Sequence, residues 1–248
     1  MAKVKIEPRE NVAILRLDNG LKNPAGRELV EDMSVALETV KRNCDGMVLA
    51  GGDRFFCIGL NLPELIHYNR SEMADFWHKF NEVTMHLYTL PLPTACAVAG
   101  HAPAVGTIWT LCCDYRIAAE GKKLFGLLEV KLGVPTPFPT VLMLRQAVSD
   151  HIANDVMYFG EMFGPEKAKE IHLIHDICPQ AEVEEKALSW VATLAALPRH
   201  ALAAMKDLRT EEIRVRYERD HKAWNELFLD CWFNEKTRPL LTRAAEKF

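Results

Sequence analysis

From Thr94 to Cys113 the chain runs twenty residues without a formal charge, TACAVAGHAPAVGTIWTLCC. A stretch of that length must be hidden from water, either in lipid or in a protein core. Gly100, His101, Pro103 and Gly106 interrupt its middle, Pro91 and Pro93 precede it, and the mean hydropathy of the chain is only −0.08. These features argue against a membrane span. They predict a buried strand (TACAVA), a tight turn (GHAPAVG) and a buried helix (TIWTLCC).

The flanking sequence repeats this alternation. Short strands are expected over 3–7, 11–17, 46–50 and 114–119. An amphipathic helix is expected over 27–42, with Leu29, Val30, Met33, Leu37 and Val40 on one face, and another over 71–89. Strands that alternate with helices argue for an α/β fold with parallel strands and helical crossovers. Beyond about residue 138 the pattern is mostly helical, with one short strand in LIHDICP closed by Pro179. The stretch 210–234 carries Ile213, Tyr217, Trp224, Phe228 and Trp232 at helical intervals. That aromatic face suits packing on its own domain or contact with another subunit.

With 30 Lys and Arg against 34 Asp and Glu, the net charge is −4. This balance does not fit a nucleic-acid binder. Seven cysteines, none in a Cys-x-x-Cys pair, and an N-terminus without an apolar segment point to a reducing, cytoplasmic location. His172, His175 and Cys178 are three residues apart, but strand alternation sets the two histidines on opposite faces, so no metal site is expected. G-x-S-x-G, G-x-G-x-x-G and G-x-x-x-x-G-K-[ST] are all missing from the sequence.

Two glycine turns and one acid remain as candidates. The turns are Phe56–Leu62 and Gly100–Gly106, each leading from a buried strand towards a helix. Either they are plain tight turns, or their outward N–H groups form a nest for a developing oxyanion. The acid is Glu129, alone among apolar residues in FGLLEVKLGVP. It is either a surface residue paired with Lys131 or solvent, or a general base whose pKa is raised in an apolar pocket.

Three segments carry a family resemblance. FCIGLNLPEL (56–65) resembles F-[CS]-A-G-x-D-L-x-E-[LM] of the crotonase (enoyl-CoA hydratase/isomerase) superfamily. AVAGHAPAVGTIWTLCCDYRIAAE and FGLLEVKLGVPTP resemble the next two motifs of that superfamily, in order and at matching spacing. The resemblance implies a spiral of ββα units over 1–190 and a helical trimerisation region over 191–248. It implies an acyl-CoA thioester as substrate, no cofactor beyond the coenzyme A of that substrate, and assembly as a homotrimer or a dimer of trimers. By position, the N–H groups of Leu60 and Val105 form the oxyanion hole and Glu129 is the catalytic acid–base. Ile58, Gly59, Asn61, Leu62, Gly106 and Ile108 are expected to bind substrate.

Two departures matter. AVG replaces the usual GGG, so a β-branched Val105 is expected to strain the turn or narrow the site. Ile108 stands where hydratases carry a second glutamate. One base suffices to move a double bond, whereas hydration needs water held between two groups. The segment is therefore most similar to the Δ3-Δ2-enoyl-CoA isomerase branch. The alternatives are another acyl-CoA enolate reaction (hydration, decarboxylation, thioester hydrolysis, dehalogenation) or a non-catalytic acyl-CoA-binding protein. His67 and His101 are the only nearby candidates for a second catalytic group, and both are expected to be structural.

Overall fold

A computed structural model describes residues 2–248. Six strands form the main sheet in the order β1 (Val4–Arg9), β2 (Val12–Leu17), β3 (Gly46–Ala50), β4 (Thr94–Val98), β6 (Tyr115–Ala119), β8 (Asp176–Cys178). β1 and β2 form an antiparallel hairpin, and every later pairing is parallel. The parallel strands are joined by α1 (Arg27–Asn43), by α2 (Leu62–Leu65) with α3 (Arg70–Thr89), and by α4 (Val105–Cys112).

Strand alternation explains the uncharged runs. Val48, Ala50, Ala95, Ala97 and Ile117 face a small apolar layer under α8 (Val183–Ala195), which includes Ala187 and Val191. Met47, Leu49, Cys96, Val98 and Ala118 face the larger core beneath the other helices. A sheet covered on both faces has no polar edge to its pattern. Among the described residues, no helix is long and apolar enough to cross a membrane.

A second, small layer is not visible in the strand pattern of the sequence, although the resemblance implies ββα units. β5 (Ala102–Pro103) pairs in parallel with β7 (Phe125–Gly126), and Phe55 bridges to His101 on the same side. β3, β4 and β6 are thus each followed by a short extended piece and then a helix or 3-10 turn, a repeating ββα step. Two-residue strands are too short to show alternation, which is why GHAPAVG reads as a plain turn.

The helical half comprises α5 (Phe138–Ala147), α6 (Asp150–Phe159), α7 (Pro165–Glu170), α8, α9 (Arg199–Trp232) and α10 (Arg238–Ala245). The division expected at residue 190 falls inside α8, and α9 and α10 supply core residues. Tyr217, Phe228 and Trp232 are buried within the chain, whereas Trp224 is partly exposed. The aromatic face therefore packs on its own molecule.

Candidate active site

The first glycine turn is fixed by a parallel bridge between Ala25 and Leu60. Ala25 N–H donates to Gly59 O (2.8 Å), and Asn61 N–H donates to Ala25 O (3.0 Å). Backbone groups alternate in direction along an extended segment, so the N–H of Leu60 points away from Ala25. Leu60 lines an apolar cavity of about 300 Å³. Gly59 has φ +124°, which an L side chain rarely adopts.

The second turn ends at Ala104, with φ 49° and ψ −114°. Its N–H donates to Gly126 O (2.8 Å) and its carbonyl accepts Ile108 N–H (2.9 Å), opening α4. Val105 is the first helical residue, where an N–H has no acceptor within its own helix. The strain expected at Val105 lies one residue earlier, at Ala104, because that residue must turn the chain into the helix.

The two turns are built into one another. Phe56 and Cys57 N–H donate to His101 O at 2.8 and 3.4 Å. A methyl on Gly59 would lie 3.2 Å from the Ala104 Cβ, and one on Gly106 would lie 2.4 Å from the Cys57 carbonyl oxygen. Among the described residues, neither the Leu60 nor the Val105 N–H donates to a backbone carbonyl of a turn, loop or cap. Both residues line the cavity.

Glu129 opens a 3-10 turn (Glu129–Leu132) that Gly133 terminates in a left-handed conformation, φ 79°. It is 9 % exposed and lines the same cavity. Its Oε2 is buried without a hydrogen-bond partner. Among the described residues it forms no ion pair with Lys131, so the surface reading of this acid does not hold. Burial pushes its pKa up to about 7, opposed only by its own backbone N–H.

Ile58, Gly59, Leu62 and Ile108 also line the cavity. Asn61 and Gly106 do not line it. Asn61 precedes α2 and donates from Nδ2 to Glu64 Oε2 (2.8 Å), and Gly106 lets α4 approach Cys57. The histidines do not reach the cavity either. His67 is exposed, while His101 lies against Phe55 with ring centroids 5.3 Å apart. His175 Nδ1 accepts the Arg116 N–H (3.0 Å). Cys57, fully buried behind the turns, has its thiol pushed up to about 12 and is no nucleophile.

Among the cavity residues that the sequence did not point to are Trp77 and Phe80 of α3 with Phe228 and Trp232 of α9. Nothing local marks them, since they meet only when α9 folds back across α3.

The arrangement can hold a developing oxyanion on two backbone donors, with one carboxylate close to neutral pH as the base in an apolar chamber. Comparison with known proteins agrees. Residues 7–247 match the family model described as enoyl-CoA hydratase/isomerase. Enoyl-CoA delta isomerase 1, mitochondrial, of Mus musculus is 28 % identical over 209 residues, spanning 83 % of this chain and 72 % of that protein. A probable enoyl-CoA hydratase of Mycobacterium avium is 26 % identical over 197 residues, 79 % of this chain and 76 % of that protein. The crystal structure of human mitochondrial delta3-delta2-enoyl-CoA isomerase superposes with a TM-score of 0.94 at 25 % identity, covering 99 % of this chain and 97 % of that one. Motifs, fold and site thus converge, and the chain belongs to the enoyl-CoA hydratase/isomerase family.

Proposed function

We propose that the protein is a Δ3-Δ2-enoyl-CoA isomerase. The observation that carries this reading is the single carboxylate of the cavity. Among the described residues lining it, Glu129 is the only acid, and Ile108 presents hydrocarbon where a second acid would stand. The thioester oxygen of a 3-enoyl-CoA accepts hydrogen bonds from the N–H groups of Leu60 and Val105. Glu129 takes a proton from carbon 2, and the electron pair delocalises through the thioester carbonyl as a dienolate. The same carboxylic acid returns the proton to carbon 4, leaving the double bond between carbons 2 and 3. The apolar wall keeps water away from the dienolate and keeps the carboxylate basic. Coenzyme A enters only as part of the substrate, and no other cofactor takes part in these steps.

The test is isomerisation of 3-hexenoyl-CoA by the parent and by Glu129→Gln. Loss of a general base should lower kcat by about 10²–10⁴-fold while acyl-CoA binding stays near normal. Unchanged turnover would overturn the assignment.

A hydratase reading is kept in view by the hydratase relatives, and Ile108→Glu separates the two. In the isomerase reading the parent does not hydrate crotonyl-CoA at an enzyme-like rate, and a second carboxylate at 108 introduces hydration. Hydration by the parent would favour the alternative.

Self-association belongs to the same proposal but rests on a different surface from the aromatic face. Met205, Leu208 and Val215 lie along α9 at helical spacing and are 50–72 % exposed, with Leu208 the most open. A homotrimer, or a dimer of trimers, would cover them, and light scattering giving the monomer mass of 28.1 kDa would reject it. A reducing compartment such as the cytoplasm suits the seven free thiols.

A further inference from the structure

Along α4 the cavity wall has a direction. Val105 carries the donor N–H, Ile108 lies nearly one helical turn further on, and Trp109 beside it packs on Phe80 with ring centroids 6.4 Å apart. An acyl chain leaving the thioester therefore passes Ile108 and meets the rings of α3 and α9. Those rings are stacked on one another. Trp77 lies 3.4 Å from Phe228 at 7° and 5.4 Å from Phe80, and Phe228 lies 5.9 Å from Trp232. No hydrocarbon chain can thread between rings in such contact. All four are buried, and Asn81 Nδ2 ties α3 to Asn225 Oδ1 of α9 at 3.0 Å next to the stack. Spreading the two helices would break that bond and the stack together.

We infer that this aromatic wall is the end stop of the acyl channel and confines the protein to short hydrocarbon acyl groups. The cavity of about 300 Å³ must also hold the thioester. Because that one recess holds both the thioester and the chain, the limit is placed at roughly eight carbons, which the binding series below fixes. The inference deepens the isomerase reading and relies on it only for the position of the thioester.

Calorimetric binding of saturated acyl-CoAs, which cannot be isomerised, tests the wall apart from the reaction. With butanoyl-, hexanoyl-, octanoyl-, dodecanoyl- and hexadecanoyl-CoA, affinity should rise to about eight carbons. It should then fall at least about tenfold for dodecanoyl-CoA. Phe228→Ala should raise the ratio of dodecanoyl- to hexanoyl-CoA affinity at least about tenfold, and the milder Phe228→Leu and Trp77→Phe should move it in the same direction, read on variants with native circular dichroism. Equal affinity of the parent for octanoyl- and hexadecanoyl-CoA would overturn the end stop, as would an unchanged ratio in a folded Phe228→Leu. A sharp length cut-off in a protein that does not isomerise 3-hexenoyl-CoA would keep the wall and remove the isomerase reading. Isomerisation with a flat length profile would do the reverse, and failure to bind any acyl-CoA would overturn both.

Discussion

Two buried ionisable side chains, Lys206 and Glu129, lie in the same molecule under opposite conditions. Lys206 is 8 % exposed and anchors α9 to the sheet. Its ammonium has three donors and three acceptors, Asp114 Oδ2 at 2.7 Å, the Leu92 carbonyl at 2.8 Å and Thr94 Oγ1 at 3.3 Å. Glu129 is as buried but has an oxygen with no partner. Burial disfavours the charged form of both, lowering the pKa of Lys206 and raising that of Glu129, yet only Lys206 has a counter-ion to oppose it. A buried charge with every bond satisfied secures structure. One left short of partners beside a cavity is costly to the fold and is poised for proton transfer.

The largest expected effect separates the two roles by activity. Glu129→Gln should abolish most turnover, whereas Lys206→Met should leave kcat per folded molecule essentially unchanged. A large kcat loss in folded Lys206→Met, with native circular dichroism, would erase the distinction.

Stability should respond in the opposite order. Lys206→Met removes one partner of a buried pair and should cost about 3 kcal/mol in denaturant unfolding. Asp114 keeps Arg209 at 2.6 Å, which holds the cost at the lower end of the range.

For Glu129 the sign depends on pH. Its folded pKa of about 7 lies above the ordinary value of 4.5, so the folded state binds the extra proton between those limits. The stability linked to that proton is complete below about 4.5 and is lost as pH rises through about 7. Glu129→Gln should therefore be more stable than the parent at pH 8, by about 1–3 kcal/mol, with the gap closing towards pH 4.5. Equal unfolding curves at pH 8 would mean the acid is solvated. The same titration predicts that kcat/KM of the parent rises with pH through about 7 and then levels, since the base must be ionised. A flat profile from pH 5.5 to 8.5 would contradict the burial argument.

The smallest effect concerns the donor side of the site. Ala104 at φ 49° is held in a strained conformation, and Ala104→Gly should relieve it. The expected gain is under about 1 kcal/mol, because glycine gives back part of it as chain entropy. kcat should fall a few-fold as the Val105 N–H becomes less fixed. Thermal melts and initial rates check both, and a loss of stability would show that the turn is unstrained.

Much of this was legible in the linear chain. The uncharged run at 94–113, broken by glycines and proline, is sufficient to place a buried strand, a turn and a buried helix. Alternation of strands and helices implies the parallel sheet. The three motifs carry Leu60, Val105, Ile108 and Glu129, and all four line one cavity, because backbone turns and local spacing are encoded locally. Asn61, where the motif usually has Asp, and Gly106, at its last glycine, support the turns without lining the cavity, since a motif records position and not side-chain direction. What only the tertiary structure decided is non-local. Trp77 and Phe80 are 148 or more residues before Phe228 and Trp232, and the stacking that closes the cavity exists only once α9 folds across α3. The raised pKa of Glu129 is equally absent from the sequence. Desolvation depends on what surrounds a group in space, and here α6 and α10, far away in the chain, pack on the 3-10 turn that carries the acid.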